Sequence, residues 1–435
     1  MSLSVVHAAD LHLDSPLRGL AAYPDAPSER LRGASRHAFS RLVDLTIERE
    51  ANLLLLAGDV WDGDWPDVGT GLFFAREMGR LQRAGVRVVL LHGNHDAESR
   101  ITRSVALPDN VAALSAQRPQ SVAFDDLGAV VHGQSFARPD VKENLALAYP
   151  DAVAGMINIG MLHTALEGDE NHATYAPCRL ADLQAKQYDY WALGHVHQHR
   201  VLATAAAHDG GTIAFPGVLQ GRKARETGAK GALWVELDDG TARVERLVVD
   251  VVRWHVRDVD VAGVQRIEDV APRVRAALDE LVAAADAPLD ERLLAVRLRL
   301  VGRTPLHGRL ASESARVRDD AIAQIAAAAP HGVFLEKIQR ATEAALDAQQ
   351  IARRRDAVAD LQEVLARAAA ADDLAAEVRE HLADFLNQLP AEVRHTLEQD
   401  DPHWLQAVRD EQPVALIETA AAQLLARLAH EDVGD

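Results

Sequence analysis

Two short, almost unbroken apolar runs that each stop at a glycine limit the fold of this chain more than anything else in it. Asn52-Leu53-Leu54-Leu55-Leu56-Ala57 ends at Gly58, and Val86-Arg87-Val88-Val89-Leu90-Leu91 ends at His92-Gly93. Apolar runs without alternation fit strands buried on both faces, as in parallel sheets covered by helices. Helical spacing fills the stretches between them: Phe39, Leu42, Val43, Leu45 and Ile47 within 34–50, and Leu72, Phe73, Met78 and Leu81 within 68–84. With a first strand over Leu3–Ala9, this alternation predicts an α/β fold. Further strands are predicted near 128–132, 156–162, 189–193, 212–215, 231–237 and 243–252. They follow one another with little helix, which predicts a second, more antiparallel sheet.

Residues 251–310 read as a small α/β unit with a strand near 251–257, a helix from about 266 to 285 and a strand over Leu293–Leu300. Beyond Pro305-Leu306-His307-Gly308 the composition turns to Ala, Glu, Arg and Leu. Ile338, Ala345, Ile351, Val358, Leu361 and Leu365 there keep close to a seven-residue beat, which predicts helix. The expected division is therefore 1–250, 251–310 and an all-helical 311–435. The single cysteine, Cys178, excludes an internal disulfide framework and a cysteine-based zinc site. No run of about 18 uncharged apolar residues occurs, so no transmembrane helix is expected. Met1–His7 has no basic residue ahead of its apolar ones and Asp10 follows closely, so the chain is expected to stay in the cytoplasm. Net charge is −19, but it divides unevenly into −8 over 1–250, +1 over 251–310 and −12 over 311–435. An acidic tail cannot be the main surface for a polyanion, whereas the first two segments carry no such veto.

The chemistry lies just after the strands. Asp10-Leu11-His12 follows the first, Gly58-Asp59-Val60-Trp61-Asp62 the second and Gly93-Asn94-His95-Asp96 the third. His163 ends the strand near 156–162, and Gly194-His195-Val196-His197 ends the one near 189–193. Taken singly, each has an ordinary explanation as a turn, a helix cap or a rim histidine. Taken together, five strand ends supply Asp, Asn and His to the edge of an α/β sheet where sites gather. Such O and N donors suit hard or borderline divalent cations, with no thiolate to favour soft ones.

The order Asp-x-His, Gly-Asp-x-x-Asp, Gly-Asn-His-Asp, His, Gly-His-x-His resembles the calcineurin-like metallophosphoesterase superfamily. His7-Ala8-Ala9-Asp10-Leu11-His12-Leu13-Asp14-Ser15-Pro16, Tyr175-Ala176-Pro177-Cys178, Phe215–Arg222 and Glu226-Thr227-Gly228 are similar to its bacterial SbcD/YhaO-like DNA-repair exonuclease group. The resemblance covers 1–250 firmly, 251–310 loosely and the tail not at all. It implies a four-layer α/β/β/α sandwich, a capping-like small domain and two divalent ions, with Mn²⁺ favoured. One ion would be held by Asp10, His12 and His197, the other by Asn94, His163 and His195, with Asp59 between them. A water shared by the two ions would attack phosphorus, since paired cations about 3.5–4 Å apart lower its pKa and grip phosphate oxygens. His95 would assist and Asp62 would hold His95, while Asp96 is read as a turn residue outside the catalytic set.

The implied activity is a Mn-dependent DNA exonuclease working with an SbcC-like coiled-coil ATPase, and the same analogy allows a homodimer. Arg222 and Arg18 are candidate phosphate contacts, with a solvated loop as the competing reading for the basic cluster at 222–225. Trp61 and Trp65 read as pocket walls, with base stacking as a second role. The acidic helices would dock on a partner or fold back on their own domain. Two other functions stay open: a phosphoesterase of small nucleotides or other small phosphodiesters, which −19 favours, and a scaffold subunit for an ATPase.

Overall fold

The computed structural model describes residues 2–15, 27–62, 68–98, 106–167, 175–202, 211–238, 240–329, 331–345 and 357–369, with short stretches beyond. The described residues fall into two compact units, one of 1–256 with 286–296 and 331–336, the other of 257–285, 297–330 and 337–435.

The first unit contains two six-stranded sheets. The first sheet comprises β1 (Leu3–Ala8), β2 (Leu53–Ala57), β3 (Arg87–Leu91), β4 (Val111–Ala113), β11 (Gly231–Asp238) and β12 (Thr241–Val248), in the order β12-β11-β1-β2-β3-β4. The second comprises β5 (Gln120–Phe124), β6 (Ala129–Gly133), β7 (Ile157–His163), β8 (Tyr190–Gly194), β9 (Arg200–Leu202) and β10 (Thr212–Phe215), in the order β5-β6-β7-β8-β10-β9. Register brings the ends of β1, β2 and β3 level, with Ala8 opposite Leu56 and Ala57 opposite Leu91. In the second sheet His163 stands opposite Gly194.

Side-chain alternation builds the layers. Val6, Ala8, Leu54 and Leu56 point one way, into a core with Phe39 and Leu42 of α2 (Ala34–Glu48) and with Phe74, Met78 and Leu81 of α3 (Val68–Arg83). The short helix α1 (Ser28–Arg32) precedes α2. Their neighbours Val5, Leu53 and Leu55 point the other way, against Val131, Ile159, Met161 and Tyr190 of the second sheet. Trp191, Leu193 and Leu162 cover the outer face of that sheet, under Tyr149, a 3-10 turn at Leu145–Ala148 and α5 (Leu180–Gln184). The α/β/β/α sandwich is thus present. Each fully buried leucine contributes about 1.5–3 kcal/mol through apolar area removed from water.

Two expectations are corrected. The second sheet is not the more antiparallel one: β6, β7, β8 and β10 are mutually parallel, and β11–β12 joins the first sheet as an antiparallel pair. Parallel crossovers need only a dozen or so residues, and the helical elements described in these are a 3-10 turn and a five-residue helix, which leave little helical periodicity to read. The stretch 311–344 is not all helix. After α6 (Val270–Ala283), α7 (Arg309–Ser312) and α8 (Ser314–Ala328) comes β15 (Val333–Ala344), completing a three-stranded sheet with β13 (Val252–Asp260) and β14 (Leu293–Thr304) in the order β13-β14-β15. The run Val333-Phe334-Leu335 after Gly332 is strand-forming in type, and the Ala- and Arg-rich residues around it mask that signal. Helix reappears at α9 (Ala357–Ala369), which carries Val358, Leu361 and Leu365. No helix among the described residues is long and apolar enough to cross a membrane.

Candidate active site

The site grows from the level strand ends. Beyond β1 the chain runs beside the loop after β2, with Asp10 N–H donating to the Gly58 carbonyl at 3.0 Å and His12 N–H to the Asp59 carbonyl at 3.0 Å. Holding both loops at this distance bends the backbone into the left-handed region at Asp10 (φ 51°), His12 (φ 43°) and Asp59 (φ 54°), and His195 is also positive at φ 95°. After β3 the chain enters α4 (Asn94–Glu98), and the His95 N–H donates to Asp59 Oδ1 at 3.0 Å. Asp96 accepts from Trp61 N–H and from Gly93 N–H, both at 2.9 Å, and so ties the second and third motifs together. Its carboxyl, raised by burial, works as a clamp on the main chain.

His163 is fixed by the main chain. Its Nδ1 lies 3.0 Å from the Ala57 carbonyl, which can only accept, so Nδ1 carries the proton. Nε2 then faces Asn94 Oδ1 at 3.1 Å and Asp59 Oδ2 at 3.4 Å. Glycine is required around this ring. A Cβ at Gly58 would stand 2.4 Å from His163 Nδ1, and one at Gly194 would stand 1.9 Å from the Ala57 carbonyl oxygen. His195 donates its backbone N–H to the Asp10 carboxylate at 3.0 and 3.2 Å, and its ring meets that of His163 edge-on at 5.2 Å. His197 places Nε2 3.9 Å from Asp10 Oδ1, while its Nδ1–H donates to Glu226 Oε1 at 2.9 Å.

Among the described residues three donor groups result, each with its atoms within 4.8 Å of one another: Asp10, His12 and His197; Asp10, Asp59 and His163; His12, Asp62 and His95. His12 is fully buried, yet among the described residues neither of its ring nitrogens has a hydrogen-bond partner. Its nearest acidic oxygens are Asp62 Oδ1 at 3.5 Å and Asp59 Oδ2 at 3.9 Å, too far for good hydrogen bonds. A buried imidazole with unused lone-pair capacity among carboxylates fits a cation, because such a group is otherwise costly to bury.

Charge balance points the same way. Burial pushes the Asp10 carboxyl up to about 6 against the pull of His197 and His163. Burial also acts to raise Asp59, but His163 and His12 beside it hold its carboxyl well below the usual range. For His163, burial opposes charge and is overcome by Asp59 and Asp10, leaving it at about 9. Burial, reinforced by Arg222, lowers His12 to about 3. The buried pocket therefore draws positive charge to the His163 Nε2 edge, where a metal ion would displace a proton.

His95 stands at the open rim, its side chain 40% exposed where Asp10, His12 and His163 are wholly buried. Its Nδ1–H donates to Asp62 Oδ1 at 2.9 Å. Against desolvation, this contact and the nearby Asp59 raise its pKa. Asp62 Oδ2 accepts from Ser15 Oγ at 2.5 Å, and Arg222 Nη1 reaches Ser15 Oγ at 2.9 Å and Asp62 Oδ2 at 3.5 Å. Arg222 is thus packed against the His95–Asp62 pair. Arg18 and Trp65 lie outside the described residues. Trp61 packs edge-on against Phe74 at 5.0 Å and is only 3% exposed, so it belongs to the core and offers no face for stacking. Cys178 is a buried packing residue, its thiol pushed up to about 11 by burial.

Sequence reasoning assigned no role to Glu226 or Ser15. Both lie inside phrases noted for resemblance, but neither residue type signals a second contact to a histidine or an aspartate.

Residues 3–199 match the calcineurin-like phosphoesterase family, and residues 254–343 match the middle domain of the metallophosphoesterase YhaO. The chain is 32% identical over 283 residues to the uncharacterized metallophosphoesterase YhaO of Bacillus subtilis, covering 63% of this chain and 68% of that one. It is 24% identical over 230 residues to the DNA double-strand break repair protein Mre11 of Sulfurisphaera tokodaii, covering 50% of this chain and 57% of that one. To the Mre11 of Methanopyrus kandleri it is 26% identical over 314 residues, 65% of either chain. With β-strand ends that deliver Asp, Asn and His to one buried pocket, with the family match spanning residues 3–199, and with the 32% identity to YhaO over 68% of that protein, the chain belongs to the calcineurin-like metallophosphoesterase family.

Proposed function

We propose that this chain is a Mn²⁺-dependent DNA exonuclease that works in DNA repair with an SbcC-like coiled-coil ATPase. The observation that carries the hydrolytic part is the His95–Asp62 pair standing at the open edge of the buried Asp/His pocket. Asp10, His12 and His197 would hold one ion, Asn94, His163 and His195 the other, with Asp59 serving both. Two bound divalent cations supply an activated water and neutralise phosphate charge. With Nδ1–H engaged by Asp62, His95 has Nε2 to present to a substrate oxygen, and its raised pKa suits it to donate a proton to the leaving group. Asp62 fixes that ring and its protonation, and Arg222 (with Arg18 as a second candidate) would meet a phosphate beside it.

The DNA part is supported by the two relatives named for DNA double-strand break repair. In this reading 1–250 is the nuclease domain, the small α/β unit shapes access to it, the acidic C-terminal region docks on the ATPase, and the protein acts in the cytoplasm. The net charge of −19 favours the second reading, a phosphodiesterase of small nucleotides.

Degradation of end-labelled linear DNA by the purified chain with Mn²⁺, beside His95→Ala, tests the proposal. Metal-dependent loss of label is expected, slowed roughly 10²–10⁴-fold by His95→Ala, the usual contribution of a positioned acid or base. Intact DNA alongside turnover of an aryl phosphodiester, with and without an added ATPase partner, would overturn the nuclease reading in favour of the small-molecule one.

A further inference from the structure

We propose that Glu226 is the positioning residue of His197. The loop carrying it is held firmly: Val218 N–H donates to the His197 carbonyl at 3.2 Å, and Gly228 N–H donates to the Trp254 carbonyl at 3.2 Å. Glu226 is 6% exposed and uses both carboxylate oxygens. Oε1 accepts from His197 Nδ1–H at 2.9 Å and Oε2 from the Arg222 backbone N–H at 2.7 Å. The first bond sets the tautomer, because a carboxylate only accepts. It leaves the Nε2 lone pair turned toward Asp10 and fixes the orientation of the ring. The second ties the same carboxylate to the residue whose guanidinium stands against Asp62. A single acid thus sets the geometry of one putting-together of donors, Asp10, His12 and His197, and leaves the His163 side to other supports.

This inference rests on reading His197 as a metal ligand, and the test separates the two. Mn²⁺ titration calorimetry of the full chain is compared for wild type, His197→Ala, Glu226→Ala and Glu226→Gln, with urea unfolding of each metal-free protein. Two binding events are expected in the wild type, one of them lost or weakened by His197→Ala. Glu226→Ala is expected to weaken that same event about 10–100-fold, the usual effect of removing such a partner, with the other event in place. Glu226→Gln keeps an acceptor for Nδ1–H and is expected to lose less than Glu226→Ala; it also serves if the alanine variant does not fold. In the imidazole N–H region of the proton NMR spectrum, one signal is expected to vanish in both His197→Ala and Glu226→Ala. Unchanged affinities in the Glu226 variants while His197→Ala loses an event would overturn the inference. So would equal weakening of both events, which marks a general loss of structure. Two unchanged events in His197→Ala would instead overturn the ligand reading itself.

Discussion

The two sides of the pocket hold their histidines by different means. His163 gives its Nδ1–H to the Ala57 carbonyl, and glycines at 58 and 194 let the strands close around it. His197 gives its Nδ1–H to the Glu226 side chain, carried on a loop, and its own side chain is 19% exposed. A backbone carbonyl cannot be removed by substitution, and its position is inherited from strand register. A carboxylate can be removed, but it brings a full negative charge that strengthens the imidazole as a donor. The first side is precise because the sheets are; the second is adjustable because one residue sets it.

Tampering with the main-chain side should do the most damage. Gly194→Ala drives a methyl into the Ala57 carbonyl and the His163 ring, so a loss of about 3 kcal/mol in urea unfolding is expected, at the severe end of overpacking changes. Near-normal stability would mean that this side yields as readily as the other.

A second lever lies beneath the same side. His7 on β1 is fully buried, donates Nε2–H to the Leu193 carbonyl at 3.1 Å and accepts at Nδ1 from the Tyr190 hydroxyl at 2.8 Å, which clasps the two sheets. Burial lowers its pKa from 6.5 to about 3, so between those values the unfolded chain binds the proton and the folded chain does not. Stability from this group is therefore full above pH 6.5 and falls as pH drops toward 3, by up to about 1.4 kcal/mol per pH unit. Urea unfolding from pH 7 to 5, wild type against His7→Gln, should show the steeper decline in the wild type; parallel curves would remove His7 from the account.

The smallest effect is expected on the loop side. Arg222→Ala removes a partly exposed contact to Ser15 and Asp62 worth about 1 kcal/mol, or roughly a fivefold fall in phosphodiester turnover. A loss as large as that of His95→Ala would show that Arg222 does more than steady Asp62.

What could be read in the sequence follows the same division. β1, β2 and β3 announced themselves because strands buried on both faces leave unbroken apolar runs, and their ends carried Asp10, Asp59 and Asn94 in a recognisable order. The three-residue strands β4 and β9 have no room for a pattern, and β15 was hidden by the helical composition around it. In the site, residue types at strand ends were legible, whereas the partners behind them were not. That Glu226 lies behind His197, or that Asp96 clamps Trp61 and Gly93, depends on how loops distant in sequence come to lie side by side.

Asp10, His12, Asp59 and His195 hold backbone angles that a non-glycine residue adopts only at a cost on the order of 1 kcal/mol or more. The pocket is thus maintained against the preferences of its own chain, and the protein would be easier to fold without its chemistry. A lineage released from selection for activity should lose these four side chains early, to glycine or asparagine, while β1, β2 and the core between the sheets persist. Relatives with an intact sandwich and an emptied pocket would be the expected fossils of that history.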